Sequence, residues 1–282
     1  MKDRVMINKL ILLLLVLVAS FPAGARPKIA VSITPVASIL KMLTGDAAEI
    51  ITINKSAGCP HHYQMKPSDK SRFSDAEMLI FIDEKFDGFA GKLASQFQGE
   101  IVQISEIDDI DFSDDQGKIN WHFWLDLDNV IILSEYLAKI IIEKFPELKG
   151  IVDINGKDAL VELRTLAQVK KITLSSLSDL VVLSDSLEHF FKNSDAKILK
   201  LYQRTHSSLR DVKKLSHALG KNKNQCIVID AGQNPLTYVK FDKKIIQLDS
   251  ENWVVEKNDP VKESLFCVRY LRMLNQLQEC SH

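Results

Sequence analysis

Short, almost wholly apolar runs recur along this chain with helical stretches between them, and that alternation points to parallel sheets covered on both faces. The runs are Lys28–Ile33, Glu49–Ile53, Met78–Ile82 and Ile101–Ile104 in the first half, then Leu180–Leu183, Ala196–Leu201, Cys226–Asp230 and Ile245–Leu248 in the second. A strand wetted on one face alternates apolar with polar residues. Near-continuous apolar strands need cover on both sides, which crossover helices supply. Val36–Leu43 and Phe86–Gln96 read as two such helices. Four strands, an interruption and four more predict an α/β fold of two lobes, each a mostly four-stranded parallel sheet flanked by helices.

The interruption is itself helical. Val130–Lys144 follows Asp126 and Asp128, residues favoured at a helix start, and stops before Pro146. Asp158–Leu174 carries Leu160, Leu163, Ala167 and Leu174 on roughly one face, with Lys and Arg elsewhere. We assign this second helix to the connection between lobes, although a covering helix would show the same pattern. The expected division is a signal peptide over 1–25, an N-terminal lobe over 26–150, a connecting helix over 151–178 and a C-terminal lobe over 179–282.

Lys2, Arg4 and Lys9 precede ten uninterrupted apolar residues, Leu10 to Ala19, and Ala23-Gly24-Ala25 closes the stretch. A basic start, a short apolar run and an A-x-A ending describe a cleavable secretory signal. The run is also too short for a bilayer core, which takes roughly 20 residues. Cleavage after Ala25 would release residues 26–282 outside the cytoplasm; without cleavage the segment would be an anchor. The formal net charge of −1, with no basic run interleaved with aromatics, argues against nucleic acid as a partner. Four cysteines, Cys59, Cys226, Cys267 and Cys280, permit disulfides in an exported protein, in any of three pairings.

The chemistry concentrates in a few places. Gly58-Cys59-Pro60-His61-His62-Tyr63-Gln64-Met65-Lys66-Pro67-Ser68-Asp69 sets two of the seven histidines side by side, behind a thiol and between prolines. Imidazole and thiolate are preferred ligands of zinc-like metals, and a Pro-flanked polar stretch is a loop whose side chains can converge. In open parallel sheets, ligands bind beyond the carboxyl ends of strands. His61 follows the run Glu49–Ile53, and His122 follows Ile101–Ile104 within Asn120-Trp121-His122-Phe123-Trp124-Leu125-Asp126. Ser184-Asp185 follows Leu180–Leu183, and Asp249 follows Ile245–Leu248. Two lobes facing each other through these ends would gather the groups into one cleft, as a metal clamp requires.

These stretches resemble the zinc and manganese solute-binding proteins of ABC importers. Cys59–Asp69 is similar to that family's PHxYxxxPSD segment, Asn120–Asp126 to its N-x-H-x-W-L-D/S segment, and Lys28–Pro35 to its first strand and turn. The resemblance covers most of the chain beyond Ala25. It implies two lobes joined by one long rigid helix, with a divalent transition metal held between them, Zn2+ ahead of Mn2+. It also implies a non-enzymatic, periplasmic, monomeric protein that hands its metal to an inner-membrane ABC permease. Residue by residue, it makes His61 and His122 the N-lobe ligands and Asp249 the C-lobe carboxylate, and places His62 at a polar non-ligand position. Cys226 and Cys280 resemble a disulfide of some zinc-binding members, and closing that loop contributes about 4 kcal/mol by chain entropy.

One departure stands out. The family's third nitrogen ligand is the His of an H-D-A-Y-x-Y-F segment, and here the stretch reads Ser184-Asp185-Ser186-Leu187-Glu188-His189-Phe190. A hydroxyl at Ser184 is a poor zinc ligand, so three protein groups and a water remain, an acceptable tetrahedral set of lower affinity. Asp185, His189 and Cys59 are candidate substitutes or, with His62, outer groups; a structural role is open for each, as it is for His206 and His217. The acidic stretch Glu106–Asp115 reads as a solvated loop, with weak concentration of cations the alternative. A divergent member without tight metal binding, serving as an adhesin or partner protein, is the second functional reading. A metal-dependent hydrolase using Glu188 or Asp185 as base is the third; the sequence has no HExxH, phosphate loop or nucleophile–base motif to support it.

Overall fold

The computed structural model describes residues 25–54, 63, 65, 71, 73–177, 179–194, 196–202, 209–220, 226–253 and 265–281. The signal stretch, Cys59, His61, His62 and His206 lie outside them. The elements in chain order are β1 (Lys28–Val31), α1 (Thr34–Thr44), β2 (Glu49–Thr52), β3 (Met78–Phe81), α2 (Gly88–Ala94) and β4 (Glu100–Gln103). Next come α3 (Leu127–Lys144) and α4 (Lys149–Ser175). The second half adds β5 (Leu180–Val182), β6 (Ile198–Lys200), α5 (Leu209–Gly220), β7 (Cys226–Asp230), β8 (Ile245–Leu248) and α6 (Leu265–Gln278).

The strands form two four-stranded sheets, ordered β2-β1-β3-β4 and β6-β5-β7-β8, and every pairing is parallel. All of β3 and β5 is buried, as strands covered on both faces must be. The edge strands β2 and β6 are only partly buried. Each sheet reverses direction of growth beside its first strand, between β1 and β3 and between β5 and β7. Those are the switch points at whose carboxyl ends crevices open.

α3 starts where the sequence places it, because the Asp126 carboxylate accepts the Asp128 amide at 3.1 Å. α4 runs for 27 residues, about 40 Å at the α-helical rise, and begins at Lys149, well ahead of Asp158. Gly150, Asn155 and Gly156 weaken the sequence signal for this first part. Tertiary contact overrides it: Asn155 Nδ2 donates to the Leu43 carbonyl at the end of α1, at 3.1 Å.

One apolar cluster runs through both halves. It includes Val31 and Val36 near the first sheet, Leu133 and Leu163 on the helical pair, and Val182, Val228 and Tyr270 near the second. Each such side chain contributes roughly 1.5–3 kcal/mol on full burial, so the lobes share a seam that resists sliding. Separate small clusters cover the outer faces, around Leu79 and Phe81 and around Leu215 and Ile227. Cys226, at the start of β7, is bonded to Cys280, just beyond α6, the pairing that the family resemblance implies. Cys267 is a buried thiol on α6, 4.0 Å from Met42 Sδ. Among the described residues no helix is long and apolar enough to cross a membrane.

Candidate metal centre

The connection from β4 to α3 carries His122 to the seam between lobes. An aromatic group seats it: the Phe86 and Trp124 rings lie 5.9 and 5.2 Å from the imidazole, and its side chain is 14 % exposed. Asn120 settles its tautomer. The Asn120 side-chain oxygen accepts the His122 backbone N–H at 3.1 Å, and its Nδ2 donates to the Asp185 carbonyl at 2.8 Å. Both contacts fix the amide in one orientation, so its Oδ1, 3.0 Å from His122 Nδ1, must accept the proton that Nδ1 carries. Nε2 is thereby turned towards the opposite lobe.

What Nε2 meets there is Glu251, with Oε1 at 3.0 Å.

Glu251 rides on a turn after β8 that is fixed from both lobes. Asp249 Oδ1 accepts the amides of Glu251 and Asn252 at 3.2 and 2.8 Å. Thr34, just past β1, donates its hydroxyl to the Glu251 carbonyl and accepts the Trp253 amide, both at 2.9 Å. Trp124 Nε1 donates to the Ser250 carbonyl at 2.8 Å, and the Ser250 hydroxyl donates to Asp230, the last residue of β7, at 2.6 Å. The buried Trp253 closes the turn by donating Nε1 to the Asp249 carbonyl at 2.9 Å.

The structure distributes the other sequence candidates differently. Asp249 spends its carboxylate on the turn and lines a cavity of about 350 Å³ together with Arg269, Arg272 and Gln247. Burial raises its pKa, with the charge of Asp230 adding to the effect and the turn amides and Arg269 opposing it. Ser184 is half-buried, with its hydroxyl 2.8 Å from that of Ser186. Asp185 is exposed and contributes its carbonyl, not its carboxylate, to Asn120. His189 is fully buried and donates Nε2–H to the Asn120 carbonyl at 3.0 Å, while its Nδ1 has no hydrogen-bond partner among the described residues. Burial lowers its pKa to about 4, and the charge of Lys192 acts in the same direction. His189 is thus a neutral group behind the cleft wall, and Asn120 brackets both histidines. His217 is exposed on α5.

The acidic stretch has partners in the other lobe. Asp111 pairs with Lys192, which also donates to the Ser113 carbonyl at 3.2 Å, and Asp115 pairs with Lys200. Lys200 in turn lies 3.4 Å from the buried Glu188, which accepts the Asp115 amide. The acidic side chains of the stretch are mostly exposed, and two of them also clasp the C-terminal lobe; the same contacts occupy Glu188, one of the two carboxylates named as a hydrolase base. The lysine partners of the stretch sit some 80 residues further along the chain, beyond the reach of local pattern. Glu251 and Thr34 escaped the sequence reading too, although the strand-end rule that selected Asp249 applies equally to its near neighbour.

Among the described residues no set of three or more His, Cys, Asp or Glu side chains is arranged to hold a metal. The described site is the His122–Glu251 pair, and His61 belongs to the segment outside.

A family model described as "Zinc-uptake complex component A periplasmic", ZnuA, matches residues 29–276. "Uncharacterized protein RP014" of Rickettsia prowazekii (strain Madrid E) is 38% identical over 296 residues, covering 100% of this chain and 97% of its own. The "Manganese ABC transporter substrate-binding lipoprotein scaA" of Streptococcus gordonii is 24% identical over 230 residues, 74% of each chain. The periplasmic zinc binding protein TroA from Treponema pallidum shares the fold with a TM-score of 0.75, at 14% identity over 91% of this chain and 99% of that one.

Proposed function

The chain belongs to the ZnuA family and is a metal-binding substrate-binding protein of an ABC transporter, not an enzyme; from that premise we propose that it captures Zn2+ between its lobes and delivers it to an inner-membrane permease. The observation that carries this reading is His122. Its Nδ1–H is spent on Asn120, and its Nε2 is aimed across the seam at a carboxylate of the other lobe. A ligand histidine is held in this way, with the second nitrogen anchored so that the first presents its lone pair.

In this reading His61 joins from the loop after β2, Asp249 is the family-matched carboxylate, and Ser184 marks the weakened third position. Imidazole donors and the family description favour Zn2+, while the manganese relative keeps Mn2+ as the alternative. The lobes are 26–150 and 179–282 with 151–178 between them, and the protein works as a periplasmic monomer after cleavage at Ala25.

Calorimetric titration of the metal-stripped mature protein tests the reading. One equivalent of Zn2+ should bind at micromolar affinity or better, and His122→Ala or His61→Ala should abolish it. At 100 times the dissociation constant, bound metal adds about 2.7 kcal/mol of stability. Neither heat nor a thermal shift with Zn2+ or Mn2+ would instead support a divergent member acting as an adhesin or partner protein.

A further inference from the structure

We propose that Glu251 is itself a metal ligand, supplying from the C-terminal lobe the donor that Ser184 does not. The inference rests on the metal-capture reading above and names a residue that neither the motif matching nor the strand-end argument selected.

The separation is the first argument. Two donors bound to one tetrahedral ion through bonds of 2.0–2.1 Å stand about 3.3 Å apart, and about 2.9 Å apart on an octahedral ion. Glu251 Oε1 and His122 Nε2 stand 3.0 Å apart. The pair already has the edge length of a coordination polyhedron, so an ion can bind both donors with shifts of a few tenths of an ångström. The second argument is rigidity. His122 is oriented by Asn120 and packed against Phe86 and Trp124. The backbone of Glu251 is held at its nitrogen by Asp249 and at its carbonyl by Thr34. Neither donor needs a large rearrangement to meet a cation, which is the requirement of a built site.

The third argument is chemical. The Ser184 hydroxyl is engaged with Ser186 and carries no charge. A carboxylate at the site in place of an imidazole lowers the charge of the complex by one and moves its preference towards harder cations. Glu251 therefore narrows the gap between Zn2+ and Mn2+ relative to an all-imidazole set. It also makes the metal bridge the lobes, because its two described donors come from opposite sides of the seam.

The test uses the mature protein and its Glu251→Ala and Glu251→Gln variants, titrated with Zn2+ and, for a spectroscopic view of the ligand set, with Co2+. Loss of a group that merely orients a ligand costs about 10–100-fold in affinity, so Glu251→Ala should weaken Zn2+ binding by about 100-fold or more. It should also change the visible absorption of the Co2+ complex. Glu251→Gln keeps the volume and should show the same direction if Ala perturbs the turn. Wild-type affinity with an unchanged Co2+ spectrum in both variants overturns the assignment and leaves metal capture standing. Weaker binding with an unchanged spectrum also overturns it, reducing Glu251 to a positioning residue for His122. Failure of the wild-type protein to bind either metal would bring down the metal-capture reading and this inference with it.

Discussion

Asn120 does more at this site than either histidine it touches. Its side chain decides which nitrogen of His122 is available, and its backbone carbonyl holds the buried His189. The second contact has a consequence for stability. His189 resists protonation in the folded protein down to about pH 4, against 6.5 for an ordinary histidine. As pH falls from 6.5 towards 4, the unfolded chain takes up a proton that the folded protein refuses. The stabilisation present above pH 6.5 is therefore lost across that window, by about 2–4 kcal/mol. Urea denaturation at pH 7 and pH 4.5 should show this loss, and His189→Gln should shrink the difference between the two. An equal difference in the variant would place the acid sensitivity elsewhere.

The histidine at 122 could be read from the sequence because its neighbours make a distinctive motif after a strand. Glu251 could not, since its importance comes from Thr34 and Trp124, more than 100 residues away in the chain. His189 could be named from the sequence as a candidate substitute or outer group, but not placed: the chain there forms short 3-10 turns, Asp185–Leu187 and His189–Phe191, and the buried ring bonds the Asn120 carbonyl.

The strands were legible for a physical reason: cover on both faces removes the polar residues that would otherwise blur an apolar run. The start of α4 was not, because Gly150 and Gly156 obscure a helix that α1 stabilises from outside. The lysine partners of the acidic stretch were not legible, because charge pattern shows sign but not partner, and Lys192 and Lys200 arrive from the other lobe. The Cys226–Cys280 bond fastens the end of α6 to the strand that ends at Asp230, which holds the turn after β8 through Ser250. It closes a separation of 54 residues, and its removal by the double change to Ser should lower stability by about 2–4 kcal/mol. Thermal melting under oxidising conditions reads that directly. A melting point equal to wild type would show that the C-terminal lobe holds together without the bond.

Two sheets with the same strand order face one seam, and the apolar core runs through it. Around the seam the lobes are also joined by polar contacts: Thr34 and Trp124 on the turn after β8, Asn120 on Asp185 and His189, and the Asp111 and Asp115 clasp. These contacts hold His122 and Glu251 in place from both lobes. The most direct examination is diffraction at the zinc absorption edge from crystals of the mature protein grown with Zn2+. One anomalous peak is expected at the seam, about 2.0–2.2 Å from both His122 Nε2 and a carboxylate oxygen of Glu251. A peak bonded to other residues, or no peak at the seam, would contradict it.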